Sequence, residues 1–250
     1  MSSLSQRLKE RYFGRYQHPY AVLRRRVEDL LPLDATLLDA GCGRSAPTLA
    51  HFRGRARRLI GIDRVAFAGA SAGLELRQRD LADTGVASGA VDLMYSQAVL
   101  EHVTDPDATF AEIARVLRPG GRYVGLTANK WDYASLAARL IPNCFHPWIV
   151  RRTEGRDEQD VFPTVYRANT RRDVARYAAR HGLELVEFRY LGQYPNYFMF
   201  NGALFLAATA YQKIIERLAP LHCLQGWIFF VLRKPETPME MAPVAARPAA

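Results

Sequence analysis

Apolar positions along this chain follow two periods. From 18 to 31 they fall at Val22, Leu23, Val27, Leu30 and Leu31. That is a helical spacing, and Pro32 closes it. At 37 the rhythm changes: "LLDAGCG" is a short apolar run that breaks into glycines, as a buried strand does when it ends in a turn. "RSAPTLAHFRGR" then reads as a helix, with Ser45 as its cap and Pro47 in its first turn. A second strand is predicted at 56–63, a weak small-residue helix at 66–73, a third strand at 74–81 and a fourth at 91–97. Helical spacing at 110, 113, 116 and 117 places a helix within 105–121, stopped by "RPGG". A fifth strand follows at 122–129. The helix at 170–181 opens on Thr170 and Asp173 in capping-box spacing and stops at Gly182. Two further strands are predicted at 183–191 and 226–234.

Strand alternating with helix is the pattern of a mostly parallel, doubly wound sheet with helices on both faces. Residues 1–234 are expected to form one domain, with an N-terminal helix at 18–33. Residues 130–168 and 192–224 stand outside the alternation and are read as substrate-side insertions, because connections this long usually carry function. The Pro- and Ala-rich stretch 235–250 is expected to be a disordered tail.

At 250 residues, 49% hydrophobic and 24% charged, the composition is that of an ordinary globular protein. The net charge of +9 admits an anionic partner. The basic residues are scattered, however, and Lys9, Lys130, Lys213 and Lys234 are the only lysines. No dense basic run interleaves with aromatics, so nucleic acid is disfavoured as the substrate. Cys42, Cys144 and Cys223 are odd in number and form no CxxC pair. Neither a disulfide framework nor a zinc site is expected, and the setting is expected to be reducing and cytoplasmic. The N-terminus lacks the apolar core of a secretory signal. The longest apolar stretch, 197–211, is interrupted by Asn201 and Gly202 and is too short to span a bilayer. It reads as a buried helix, with peripheral membrane contact as the alternative.

The turn after the first strand carries the chemistry. In an open parallel sheet, ligands bind beyond the carboxyl ends of the strands where the order reverses. Gly41 permits the turn, and Gly43 lets a ligand approach the main chain. Gly41, Gly43 and Ala46 also satisfy a GxGxxA scan, with Asp63 following at the spacing of a dinucleotide site. Asp39 weighs against that reading. A carboxylate beside the turn repels a pyrophosphate and suits a cationic group such as an ammonium. An NAD(P)-dependent oxidoreductase and an RNA methyltransferase remain the alternatives.

"LLDAGCGRS" resembles motif I of the class I methyltransferases, which use S-adenosylmethionine. Four further stretches fall in step with it: "LIGID", "RQRDLAD", "VDLMYSQAVLEHVTDP" and "RVLRPGGRYVGLTAN". The resemblance covers 34–129 closely and 169–234 by topology. It implies a Rossmann-like seven-stranded sheet with an antiparallel last strand. It also implies cofactor-binding roles: Asp39 for the methionyl ammonium, Gly41 and Gly43 for room around the amino-acid end and ribose, and Asp63 for the two ribose hydroxyls. Asp80 would accept from the adenine amine and Leu81 would pack the ring. The main chain at Ser96 and the side chain of Gln97 would border the methyl donor. The departure is at Ser45, where the family carries a third glycine.

Methyl transfer is an in-line displacement in which orientation does most of the work, and a hydroxyl acceptor also needs a base. His102 is the candidate base, with His146 and Tyr133 behind it; the competing reading has Glu101 and His102 only buttressing the next helix. Related O-methyltransferases place a metal on a Glu-x-x-Glu-His cluster in this segment. Ala98 stands where the first carboxylate would be, so no metal is expected. Trp131 and Trp148 suggest a wall over the cofactor, and the arginines of 151–160 suggest either a solvated loop or contact with an anionic substrate. Together these imply methyl transfer, at oxygen, to a small-molecule or lipid-linked acceptor, with the oligomeric state open.

Overall fold

The computed structural model describes residues 3–69, 72–133, 135–136 and 163–236. The chain begins with helices α1 (Ser3–Phe13) and α2 (Pro19–Leu30), then β1 (Thr36–Ala40), the short α3 (Pro47–Ala50), β2 (Arg58–Asp63), β3 (Glu75–Gln78) and β4 (Val91–Gln97). A 3-10 turn (Leu100–His102) leads to α4 (Pro106–Val116) and β5 (Leu117–Ala128). Then come α5 (Arg171–Arg180), β6 (Glu184–Leu191), α6 (Gly202–Arg217), a 3-10 segment (Ala219–Leu224) and β7 (Trp227–Arg233).

The strands form one seven-stranded sheet in the order β3-β2-β1-β4-β5-β7-β6. β1 to β5 pair in parallel, and β7 runs antiparallel between β5 and β6. Alternation along the strands sends side chains to two cores. Leu38, Ile60 and Met94 meet Phe110 and Ile113 of α4 and Val174 of α5 on one face. Leu37, Leu59, Leu93 and Tyr95 meet Leu23 and Val27 of α2 and Leu49 on the other. After β1 the chain builds outward to β3 and then returns to place β4 on β1's other side. The crevice of an open sheet therefore lies beyond the ends of β1 and β4.

Helix ends follow the expected chemistry where side chains can cap. Asp105 accepts from Ala108 N at 3.0 Å, and Thr170 accepts from Asp173 N at 3.1 Å. Gly182 ends α5 with φ +68°.

Several elements differ from the sequence reading. α3 has only four residues and Ser45 does not cap it; Ala46 stands at the cap with φ +45°, ψ +49° and no side-chain bond. The left-handed residue is thus one position beyond the serine. Residues 66–69 and 72–73 are not helical, because Gly69 (φ +117°) and Gly73 (φ +76°) turn the chain instead. β5 begins at Leu117 rather than 122. "RPGG" ends α4 but then bulges within the strand, so the register jumps from Val91↔Leu117 to Leu93↔Arg122.

α1 was not anticipated, since its polar composition offers little apolar periodicity. It packs on α6, with Phe13 edge-on to Phe205 at 6.3 Å between centroids. The apolar stretch 197–211 is accordingly split: a 3-10 turn (Asn196–Phe198) precedes α6, which buries Phe205, Thr209 and Ile215. Among the described residues no helix is long and apolar enough to cross a membrane.

Candidate functional site

A cavity of about 990 Å³ occupies the predicted crevice, and Asp39, Gly41, Gly43, Asp63, Asp80, Leu81, Gln97 and His102 all line it. Eight residues proposed from sequence, drawn from four strand ends, converge in one place. Ser96 does not line it. Its hydroxyl pairs with that of Tyr123 in the buried layer between β4 and β5.

The turn after β1 is tied to β2. Gly41 N and Cys42 N donate to Ile62 O at 2.7 and 3.2 Å. Gly43 N donates to Asp63 Oδ2 at 2.7 Å, and Val65 N donates to Asp63 Oδ1 at 3.1 Å. One carboxylate thereby fixes two loops around its own edge. The two glycines then separate in role. A Cβ on Gly41 would sit 2.2 Å from Val99 Cγ2, so a neighbouring side chain fills its space rather than a ligand. A Cβ on Gly43 would meet nothing within 4 Å, which leaves that stretch of main chain open. Both carry positive φ, +87° and +71°. Gly41→Ala is expected to lower stability by about 2–3 kcal/mol, from left-handed strain and overpacking. Urea unfolding checks this, and Val99→Ala in the same chain should recover part of the loss.

Asp39 is 2% exposed. Parallel register sets it beside Tyr95, whose hydroxyl donates to Asp39 Oδ2 at 2.7 Å. Its other oxygen, Oδ1, is buried without a hydrogen-bond partner among the described residues. Burial pushes the Asp39 carboxyl up to about 7; the Tyr95 bond opposes that rise, and the nearby Asp63 charge adds to it. Buried polar atoms are nearly always paired, so the orphaned oxygen marks where a donor is missing. Burial likewise pushes the Cys42 thiol well up, in keeping with a packing role.

Asp80 is more open. Its Oδ1 accepts from Ala82 N at 2.8 Å, and Oδ2 lies 3.6 Å from Arg64 Nε. Leu81 is buried among the core residues beneath it. His102 Nδ1 lies 3.0 Å from Pro163 O. A carbonyl only accepts, so Nδ1 carries the proton and Nε2 is the basic nitrogen of the neutral ring. Glu101 is turned away from the cavity: it is buried and accepts from Thr127 Oγ1. Among the described residues no group of three or more His, Cys, Asp or Glu could hold a metal ion.

Two wall residues escaped sequence reasoning. Tyr20 reaches the cavity from α2 and stands edge-on to Trp227 at 5.6 Å. Val99 fills the space above Gly41. Tyr20 lies outside every quoted stretch and Val99 inside the one after β4, yet only the docking of α2 and the exit of β4 reveal what each contacts. Tyr133 is not in this wall; it stacks on Phe198 at 6.1 Å. Trp131 is half exposed and lines a second cavity. His146, Trp148 and the arginines of 151–160 lie outside the described residues.

Residues 38–125 match a family model described as "Methyltransferase domain". A probable S-adenosylmethionine-dependent methyltransferase of Mycolicibacterium smegmatis is 30% identical over 167 residues, 60% of this chain and 62% of that protein. The ubiquinone biosynthesis O-methyltransferase of Cupriavidus pinatubonensis is 29% identical over 120 residues, 47% of this chain and 45% of that one. The chain thus spans less than two thirds of the length of these curated relatives. Among solved structures, the geranyl diphosphate C-methyltransferase of Streptomyces coelicolor, crystallised with S-adenosyl-L-homocysteine, superposes with a TM-score of 0.54. It is 18% identical and the match covers 86% of this chain and 77% of that one, a likeness of fold.

Proposed function

We propose that this chain, whose residues 38–125 match a methyltransferase domain and which resembles a probable S-adenosylmethionine-dependent methyltransferase, is a class I methyltransferase that uses S-adenosylmethionine and methylates a small-molecule or lipid-linked acceptor, at oxygen. The observation that carries the reading is Asp39 Oδ1, a buried acceptor at the wall of the cavity with no partner among the described residues. A methionyl ammonium supplies the missing donor with the matching charge, whereas a diphosphate supplies neither. The open main chain at Gly43 supports the same fit.

S-adenosylmethionine, when bound, supplies a methyl group on a positively charged sulfur. The chain's residues then have positional tasks. Asp39 holds the ammonium. Asp63 accepts from both ribose hydroxyls with lone pairs left over from its two main-chain donors, since each carboxylate oxygen can accept twice. Asp80 accepts from the adenine amine while Leu81 packs the ring. Gln97 borders the methyl donor at the end of β4, and the Ser96 main chain backs it. His102 Nε2 takes the acceptor's proton. Because charge on sulfur disappears as the methyl moves, no oxyanion-type stabilisation is required, and orientation supplies most of the rate.

Titration calorimetry tests the cofactor reading. S-adenosylhomocysteine should bind one-to-one, and NAD should give no heat. Saturable NAD binding with S-adenosylhomocysteine silent would select the oxidoreductase alternative. Labelled methyl donor, incubated with protein and cell extract, identifies the acceptor as the species that gains one CH₂. Once it is known, His102→Ala should lower kcat by roughly a hundredfold or more with S-adenosylhomocysteine affinity unchanged. An unaltered kcat would leave His102 a buttress.

A further inference from the structure

A second cavity, of about 800 Å³, opens at the same end of the sheet, beyond β5 and β6. Lys130 and Trp131 follow β5, Arg171 and Arg172 open α5, Tyr190 lies near the end of β6, and Leu224 closes the 3-10 segment. Two fully buried asparagines hold these walls together. Asn129 Nδ2 donates to Cys223 O and Gln225 O, both at 2.7 Å, and its Oδ1 accepts from Trp131 N at 3.1 Å. Asn169 Nδ2 donates to Thr127 Oγ1 at 2.7 Å and Ala128 O at 2.8 Å, and the Asn169 main-chain carbonyl accepts from Lys130 N at 3.1 Å. The separate segments of the wall are therefore fixed to one another by bonds that no surface loop requires.

The charge within is unbalanced. Lys130, Arg171 and Arg172 make no ion pair among the described residues; Lys130 lies 5.9 Å from the Trp131 ring and Arg171 lies 5.8 Å from the Phe188 ring. Among the described wall residues the one carboxylate, Asp173, is already engaged, accepting from Thr170 Oγ1 at 2.6 Å with Arg176 at 3.4 Å. Among the described residues, three cations therefore line a partly apolar hollow with one occupied counter-charge. Such an arrangement attracts an anion, and guanidinium groups favour a phosphate. The hollow is also coupled to the first cavity. Asn169 donates to Thr127 Oγ1, which donates to Glu101, and the next residue, His102, lines the methyl-donor cavity.

We infer that this second cavity receives the anionic group of the methyl acceptor, a phosphate monoester, with Lys130, Arg171 and Arg172 as its partners and Trp131, Tyr190 and Leu224 against its apolar body. The inference deepens the proposed function and rests on it, since it names the class of acceptor.

The test is calorimetry of the full chain, saturated with S-adenosylhomocysteine, with phenyl phosphate as the probe at low salt. An Arg171→Ala/Arg172→Ala double variant serves as comparison. Both arginines are exposed, so the fold should survive, and an unchanged melting temperature verifies that. Phenyl phosphate should bind the native chain one-to-one and the double variant at least about tenfold more weakly, with S-adenosylhomocysteine affinity equal in the two. Phosphatidylcholine vesicles carrying phosphatidic acid form a second arm. Vesicle binding that the double variant loses assigns the phosphate to a lipid acceptor; binding of phenyl phosphate alone assigns it to a soluble one. Equal phenyl phosphate affinity in native and variant chains overturns the inference, as does displacement of S-adenosylhomocysteine by phenyl phosphate. Failure of S-adenosylhomocysteine itself to bind refutes the cofactor reading instead, and the arginine comparison is then made on the unliganded chain.

Discussion

Asp39→Asn should weaken S-adenosylhomocysteine binding by about 2–5 kcal/mol, roughly thirtyfold to several thousandfold, the usual loss when one member of a buried charged pair is neutralised. The ligand-free protein should respond in the opposite sense. In the folded chain the Asp39 carboxyl titrates near 7, against an ordinary value of 3.8, because burial penalises its charge. Below about pH 4 the group is neutral whether the chain is folded or not. As pH rises, the unfolded chain gives up the proton first, so the folded state loses stability between about pH 4 and pH 7, by at most roughly 4 kcal/mol. Asparagine has no such proton to lose. It can still accept the Tyr95 hydroxyl, so the variant should melt close to the native protein at about pH 4 and above it at pH 8. Melting curves at the two pH values, set beside calorimetry, check both halves. A variant that binds as well as the native chain would remove Asp39 from the site. The same linkage makes binding of a cationic partner release protons near neutrality, so affinity should fall as pH drops below 7.

Asp63→Ala should cost roughly a hundredfold in S-adenosylhomocysteine affinity and also lower the melting temperature of the free protein. Two effects combine here. The proposed ribose contact is lost, at about 1.5–3 kcal/mol for bonds to a charged group. The main-chain donors of Gly43 and Val65 lose their acceptor as well, so the turn that presents Gly43 is no longer held. The stability loss separates this variant from Asp39→Asn, which should not destabilise. Asp80→Ala provides a scale: its exposed carboxylate holds one main-chain donor, Ala82 N, and a loose surface ion pair with Arg64, and its loss should matter least of the three. Equal binding by Asp63→Ala and native protein would contradict the assignment of the ribose.

How much of this was legible beforehand follows from where each interaction is local. The strand ends at Asp39 and Asp63 and the glycines between them are short-range patterns, and all were visible. The caps at Asp105 and Thr170 are equally local. The supposed cap at Ser45 failed because the left-handed turn is taken by Ala46, one residue later, which no periodicity specifies. The small-residue helix expected at 66–73 failed because Gly69 and Gly73 take positive φ and turn the chain.

Long-range facts were invisible. Tyr95 lies 56 residues from Asp39, and only the register of β1 on β4 brings its hydroxyl to the carboxylate. Val99 above Gly41 and Tyr20 in the cavity wall depend on packing in the same way. α1 hid behind a polar composition, its one large buried anchor, Phe13, being answered by residues near 200. The commitment of the Ser96 hydroxyl to Tyr123 was equally invisible; the expectation at that position concerned only its main chain.

The central claim is that the turn after β1 receives a zwitterionic sulfonium ligand against Asp39. A crystal soaked with S-adenosylhomocysteine tests it most directly. The ligand's ammonium should lie within about 3 Å of Asp39 Oδ1, with its ribose hydroxyls on Asp63. The opposite result is a nicotinamide coenzyme with its diphosphate over Gly43, in crystals that leave the S-adenosylhomocysteine soak empty.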